Sequence, residues 1–210
     1  MIITGVERQR GRRRVNVFVD GRFALSLGRS FAQEKELHAD MAIDEAGLQE
    51  LRAEDERRTA YDAAIHLLSY RPRSEREMRQ RLRRLNVSPE AIDETVARLL
   101  ASHYLDDAAF AEFWRESRAN LSPRSQRLVR SELLYKGVDA DTATTAVDVL
   151  DDDESAYRAA SKRLKALAGA DYDDFRRRLG GFLMRRGFGY ETVRRALERC
   201  WRETGHDARS

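Results

Sequence analysis

Guanidinium groups are the side chains in this 210-residue sequence with the most chemistry to offer, since all but four of its 39 basic residues are arginine. The net charge of +3 conceals strong segregation. Residues 71–84 hold seven arginines against two glutamates, and residues 176–202 hold nine against two, whereas residues 139–154 carry seven acidic side chains and no basic one. Arg8, Arg10, Arg12, Arg13 and Arg14 cluster near the N-terminus. Stripes of this kind recruit polyanions through phosphate contact and counterion release. They also meet acidic protein surfaces and set docking rates. Two plainer sources of such a bias are genomic base composition and ordinary i,i+4 surface pairs worth about 0.3–0.5 kcal/mol each.

Other reactive groups form no catalytic constellation. His38, His66, His103 and His206 lack metal-ligand spacing, and Cys200 is the single cysteine, which rules out an internal disulfide and fits a reducing cytosol. Gly180-Gly181 falls inside a helical pattern rather than in a phosphate loop and reads as a close-packing site. The acidic runs Asp106-Asp107 and Asp151-Asp152-Asp153 each precede a helix, where carboxylates cap and complement the dipole. A binding protein is expected rather than an enzyme, with no cofactor and no metal. No signal peptide and no run of about 18 apolar residues is present, so a cytoplasmic protein without membrane attachment is expected.

The elements that position the arginines come from a repeat. The stretches "RQRLRRLNVSPEAIDETV", "VRSELLYKGVDADTATTAV" and "LGGFLMRRGFGYETVRRAL" align Leu82, Leu133 and Leu183, then Asn86, Gly137 and Gly187, then Val87, Val138 and Phe188. Asn and Gly enter the left-handed backbone region cheaply and close helices just past the C-cap. The following apolar residue folds back on the leucine, as a Schellman ending requires. Ser88, Asp139 and Gly189 then open a new helix, with Pro89 at its first position. Each copy also has a preceding helix, near residues 56–69, 107–119 and 154–167, closed by breaks at Pro72, Pro123 and Gly169–Asp174. Ser74 starts the helix after Pro72, with Glu77 as its capping-box partner. Apolar stripes such as Met78, Leu82 and Leu85, or Val193, Leu197 and Trp201, mark the core faces.

The fold class expected is mainly α: three tandem three-helix repeats in an elongated curved array. They occupy residues 56–105, 106–153 and 154–203, followed by a flexible tail at 204–210. Residues 1–55 differ. Asp20-Gly21 joins two alternating runs, residues 14–19 and 22–27, and predicts a hairpin. A strand over residues 2–8 completes a three-stranded sheet, with short helices near residues 31–37 and 44–53. A sheet of this size needs a partner surface.

Several of these stretches carry a resemblance. "VNVFVDGRFALSL", "LLSYRPRSEREMRQRL" with Arg73-Ser74-Glu75, "YLDDAAFAEFW", "ELLYKGV" and "RRGFGYETV" stand in the order found in the RecX family, bacterial regulators of the RecA recombinase. Asn86 replaces the glycine usual in the first repeat, and Gly189 stands where a polar cap is common. The resemblance implies a modulator of homologous recombination, DNA repair and the SOS response. It implies binding to the RecA–DNA filament, with restraint of strand exchange, ATP hydrolysis and coprotease function, and in some relatives direct binding of single- or double-stranded DNA. A monomer is expected. The nominated contact residues come from basic faces flanking the repeated turn. They are Arg73, Arg76, Arg79 and Arg83 in the first repeat, and Arg124, Arg127, Arg130 and Lys136 in the second. Arg185, Arg186, Arg194, Arg195 and Arg199 complete them in the third. The rival reading is a helix-turn-helix DNA-binding protein acting without RecA.

Overall fold

The structure, a computed structural model, describes residues 1–204. It resolves into two compact units, residues 1–71 with 78–105, and residues 72–77 with those from 106 onward. His206 and all but the first residue of the expected tail lie outside the described residues.

The first unit opens with an antiparallel sheet in the order β1 (Ile3–Arg8), β2 (Arg14–Val19), β3 (Arg22–Gly28). Asp20 and Gly21 both have positive φ, 49° and 76°, as a two-residue hairpin twisted to match its strands demands. Alternation in β2 and β3 sends Val15, Val17, Val19, Leu25 and Leu27 to one face, where they pack with Phe31 and Leu48. Phe31 belongs to the short helix α1 (Arg29–Glu34), and Leu48 to α2 (Glu45–Leu68).

Helix α2 departs from expectation. The short helix near 44–53 and the first helix of repeat one are a single 24-residue helix, so the boundary expected between residues 55 and 56 falls inside it. The Asp44 carboxylate caps its start by accepting from the Gly47 N–H at 2.8 Å. Residues 53–56, Ala-Glu-Asp-Glu, contain no breaker. Asp55, buried at mid-helix, accepts from the Gly28 N–H at 2.8 Å and from Arg14 at 3.1 Å, tying the sheet to the helix. The partner surface that the small sheet needs is therefore α2 itself.

The helix–turn–helix pairs follow the repeat. They are α3 (Glu75–Arg84) with α4 (Pro89–Ala101), α6 (Gln126–Tyr135) with α7 (Ala140–Val147), and α9 (Tyr172–Arg185) with α10 (Tyr190–Glu203); α5 (Asp107–Leu121) and α8 (Asp152–Ser161) precede the last two. The turn residues Asn86, Gly137 and Gly187 have φ of 58°, 93° and 88°. In each turn the next N–H returns to the predicted leucine: Val87 to Leu82 at 3.3 Å, Val138 to Leu133 at 3.1 Å and Phe188 to Leu183 at 3.4 Å. The turn residue itself donates to Arg83, Leu134 or Met184, completing the Schellman pattern.

Each repeat buries its own core, around Met78, Leu82 and Val96, around Phe110, Leu133 and Val147, and around Phe175, Leu183 and Leu197. Two details differ from expectation. Leu85, assigned to a core stripe, is 56% exposed, because it occupies the C-cap where the chain already turns away. The helix expected over 154–167 stops at Ser161 and continues as a 3₁₀ turn at Leu164–Leu167; the break then ends at Asp171, whose carboxylate caps α9 by accepting from Asp174 N–H at 2.8 Å.

Candidate partner-binding surface

Within the second unit, residues 72–77 are seated by side chains that sequence spacing did not connect. Ser74 is fully buried. Its Oγ accepts from the Glu77 N–H at 3.2 Å and donates to the Lys136 carbonyl at 2.7 Å. The Glu75 N–H donates to the Asp107 carboxylate at 2.9 Å. The Glu77 carboxylate, expected in a capping box, accepts from the Lys136 ammonium, which also lies 4.1 Å from the Trp114 ring centroid. Gly137 is pressed against Arg76, so closely that an added Cβ would stand 2.5 Å from the Arg76 Cβ.

The same fastening recurs 51 residues on. Ser125, also buried, caps α6 by accepting from Leu128 N–H at 3.2 Å, while its own N–H donates to the Arg186 carbonyl at 3.1 Å. The Gln126 N–H donates to Asp152 at 2.7 Å. Thus the first Asp of each acidic run, Asp106 or Asp151, caps its own helix as expected, and the second reaches across to the start of another. Burial pushes the Asp107 and Asp152 carboxyls above the usual carboxylate range, opposed by these N–H donors. One position breaks the parallel. Leu128 stands where Glu77 stood, so Arg186, the counterpart of Lys136, has no carboxylate there. Its guanidinium donates instead to Ser122 Oγ at 2.6 Å and the Pro123 carbonyl at 3.0 Å.

Glu132 anchors a second network that the sequence reading missed. Its carboxylate accepts from Trp114 Nε1 at 2.8 Å, from Arg118 Nε at 2.7 Å and from Arg124. Arg118, Arg124 and Arg186 all hold their protons less tightly than ordinary guanidinium groups. Burial is the first cause for each; Arg118 and Arg186 repel Arg124, and Arg163 and Arg118 repel Arg186. The readable signal was the arginine pair Arg118 and Arg124 facing a lone glutamate on the next helix.

The nominated cations divide accordingly. Arg73 is buried and Arg124, Lys136 and Arg186 are half-buried in these internal networks. Arg79 pairs with Asp93 at 2.5 Å, and Arg130 donates to Thr144 at 2.8 Å. Arg194 bridges Glu191 and Glu198, Arg195 holds Asp153, and Arg199 reaches Glu154 and Glu203. Arg76, Arg83, Arg127 and Arg185 are exposed, with Arg76 5.7 Å from the Tyr135 ring centroid. Tyr135 itself is 80% exposed, an aromatic face offered to solvent beside a cation. The outward side chains of α4 and of α7 with its C-cap include Glu90, Asp93, Glu94, Asp141 and Asp148.

Comparison with known proteins fits this arrangement. Residues 1–44 match the regulatory protein RecX N-terminal domain, and residues 60–99, 106–147 and 151–197 match the first, second and third three-helix domains of RecX. The regulatory protein RecX of Oceanobacillus iheyensis is 30% identical over 189 residues, 86% of this chain and 70% of the relative. The chain belongs to the RecX family. The RecX of Bacillus velezensis is 28% identical over 198 residues, 93% of this chain and 75% of its own length. Two RecX crystal structures share the fold. One has a TM-score of 0.61 at 20% identity, covering 92% of this chain and 97% of that one; the other, from Lactobacillus salivarius, has 0.58 at 23%, covering 70% and 97%. Among the described residues, no helix is long and apolar enough to cross a membrane.

Proposed function

We propose that this RecX-family regulator binds the RecA–DNA filament and restrains its recombinase, ATPase and coprotease activities. What carries the reading is the succession of all four RecX domains along the chain. The exposed guanidinium groups left over from internal pairing, on Arg83, Arg127 and Arg185 among others, suit an acidic protein surface or a phosphate chain. Inhibition requires tighter binding to one filament state than to another, since equal affinity for both shifts nothing. The acidic outer faces of α4 and α7 speak against the helix-turn-helix rival, whose reading helices would need to approach phosphate.

The test is RecA-dependent ATP hydrolysis on single-stranded DNA, titrated with this protein at two salt concentrations. Hydrolysis should fall, and more protein should be needed at the higher salt. Arg83→Glu with Arg127→Glu, two exposed positions, should weaken inhibition about tenfold with helicity intact, corresponding to ~1.4 kcal/mol. Arg79→Glu is a poor probe because it sets two carboxylates side by side at Asp93. Unaltered hydrolysis at saturating protein sinks the proposal. Retention of one duplex sequence against competitor DNA would favour the rival.

A further inference from the structure

The N-terminal sheet leaves part of one edge open. In the order β1-β2-β3, β1 is an outer strand. The Gln9 N–H donates to the Arg14 carbonyl at 3.0 Å, and the register continues with Arg8 opposite Val15, Glu7 opposite Asn16 and Val6 opposite Val17. Alternation in an antiparallel ladder therefore turns the N–H and C=O groups of Val6 and Arg8 away from β2. Among the described residues, no strand of the sheet lies on that side of them.

The start of the same strand already accepts a segment of backbone. The Ile3 N–H donates to the Met41 carbonyl at 2.9 Å, the Asp40 N–H donates to the Ile3 carbonyl at 2.8 Å, and Ile2 bridges Ala42 in antiparallel sense. Asp40, with φ of 71°, marks where the chain joins the edge, so Val6 and Arg8 stay uncovered. Charge then selects what could cover them. The turn after β1, closed by the Arg12 N–H on the Gln9 carbonyl at 3.3 Å, holds Arg10, Arg12 and Arg13, all exposed like Arg8. Arg14 is held by Asp55 at 3.1 Å; the other four have no carboxylate within ion-pair distance among the described residues. Charge on an edge strand keeps chains of like sign away and admits one of opposite sign. A phosphate chain would meet the guanidinium groups, but it offers acceptors only and leaves the Val6 and Arg8 carbonyls without donors. A peptide strand presents donors and acceptors in alternation.

We infer that the open edge of β1 is a docking site for an extended, carboxylate-rich peptide of a partner protein, which adds a fourth strand antiparallel to β1. Its backbone bonds to Val6 and Arg8. Its acidic residues stand at its N-terminal end, beside Arg8, Arg10, Arg12 and Arg13, and its C-terminal end points toward Asp40. The Asp40 carboxylate at that end disfavours a peptide with its charges in the reverse order. The site goes beyond the filament reading and uses none of the arginines on which that reading rests.

The experiment uses the full chain and a short labelled peptide whose acidic N-terminal half precedes alternating Thr and Val. Fluorescence anisotropy should show binding in low salt, and amide exchange followed by NMR should slow at Val6 and Arg8 when the peptide is added. Arg10→Glu with Arg12→Glu should weaken binding about tenfold, with thermal melting to check that the variant folds. A peptide with its acidic half at the C-terminus should bind less tightly. N-methylation of alternate peptide amides, in the phase that faces β1, should abolish binding with the charge unchanged. Binding that survives methylation in both phases reports charge alone and overturns the proposal, as does no binding at all. A thymidine oligomer that protects the same two amides and displaces the peptide assigns the edge to nucleic acid and overturns it too. So does a dimer in sedimentation that protects them without peptide, which assigns the edge to a second copy. Because the recombinase is absent, these failures leave filament inhibition untouched.

Discussion

The buried Ser74 hydroxyl donates to the Lys136 carbonyl at 2.7 Å while accepting the Glu77 N–H at 3.2 Å. One side chain therefore starts α3 and satisfies the carbonyl at the end of α6, 62 residues away. Ser74→Ala removes both bonds and strands a carbonyl. A loss of about 1–3 kcal/mol is expected in urea denaturation. A variant as stable as the parent would show that solvent replaces the hydroxyl at no cost.

The turn glycines carry a double constraint. At Gly187, φ is 88° and an added Cβ would stand 2.5 Å from Ser125 Oγ and 2.8 Å from Leu128 Cβ. Gly187→Ala should cost about 1–2 kcal/mol for the left-handed backbone alone, with the clash added. Asn86→Gly, where φ is 58°, should be close to neutral because Asn already tolerates that region. Thermal melts of the two variants should rank in that order.

The Glu132 carboxylate accepts from Arg124, Arg118 and Trp114 together. Glu132→Gln should destabilise by ~3 kcal/mol, since it leaves half-buried guanidinium groups facing one another. Sulfate should restore part of the loss by supplying negative charge beside the arginines. Equal sulfate responses in variant and parent would remove like-charge repulsion from the account.

Cys200 is fully buried at the α8–α9–α10 core, and burial pushes its thiol from 9.0 to about 11. The unfolded thiol ionises first, so between these values the unfolded state binds fewer protons than the native one. The stability from this group is fully present below about pH 9 and is lost as pH rises toward 11, up to roughly 2–3 kcal/mol. Denaturation at pH 8 and pH 10.5 should show that fall in the parent. Cys200→Ala should lose it, apart from a pH-independent offset for the missing sulfur.

Much of the fold was readable because its punctuation is local. Leu82, Asn86 and Val87 announce a Schellman ending within six residues, and the same is true of the other two copies. The two helices expected on either side of residues 53–56 are one, α2, because nothing in Ala-Glu-Asp-Glu breaks a helix. The candidate surface was legible only as a list of cations. Whether an arginine is free depends on partners far along the chain: Arg195 finds Asp153 and Arg199 finds Glu154, at separations of 42 and 45 residues that no helical period encodes. Asp107 and Asp152 were assigned to caps because the run-before-a-helix pattern explains one carboxylate of each pair and says nothing about the second.

Helix α2 has a consequence for anyone dissecting the protein. It is about 36 Å of uninterrupted rod. Its N-terminal half is the floor of the sheet and its C-terminal half, with Ala60 and Ala64, is a wall of the first three-helix bundle. Melting either end frays the other, so amide exchange in β2 and in α4 should slow and quicken together. A fragment begun at residue 56 would start in the middle of the rod, with neither the Asp44 cap nor the Asp55 tie to Gly28, and would expose the very bundle it was meant to isolate.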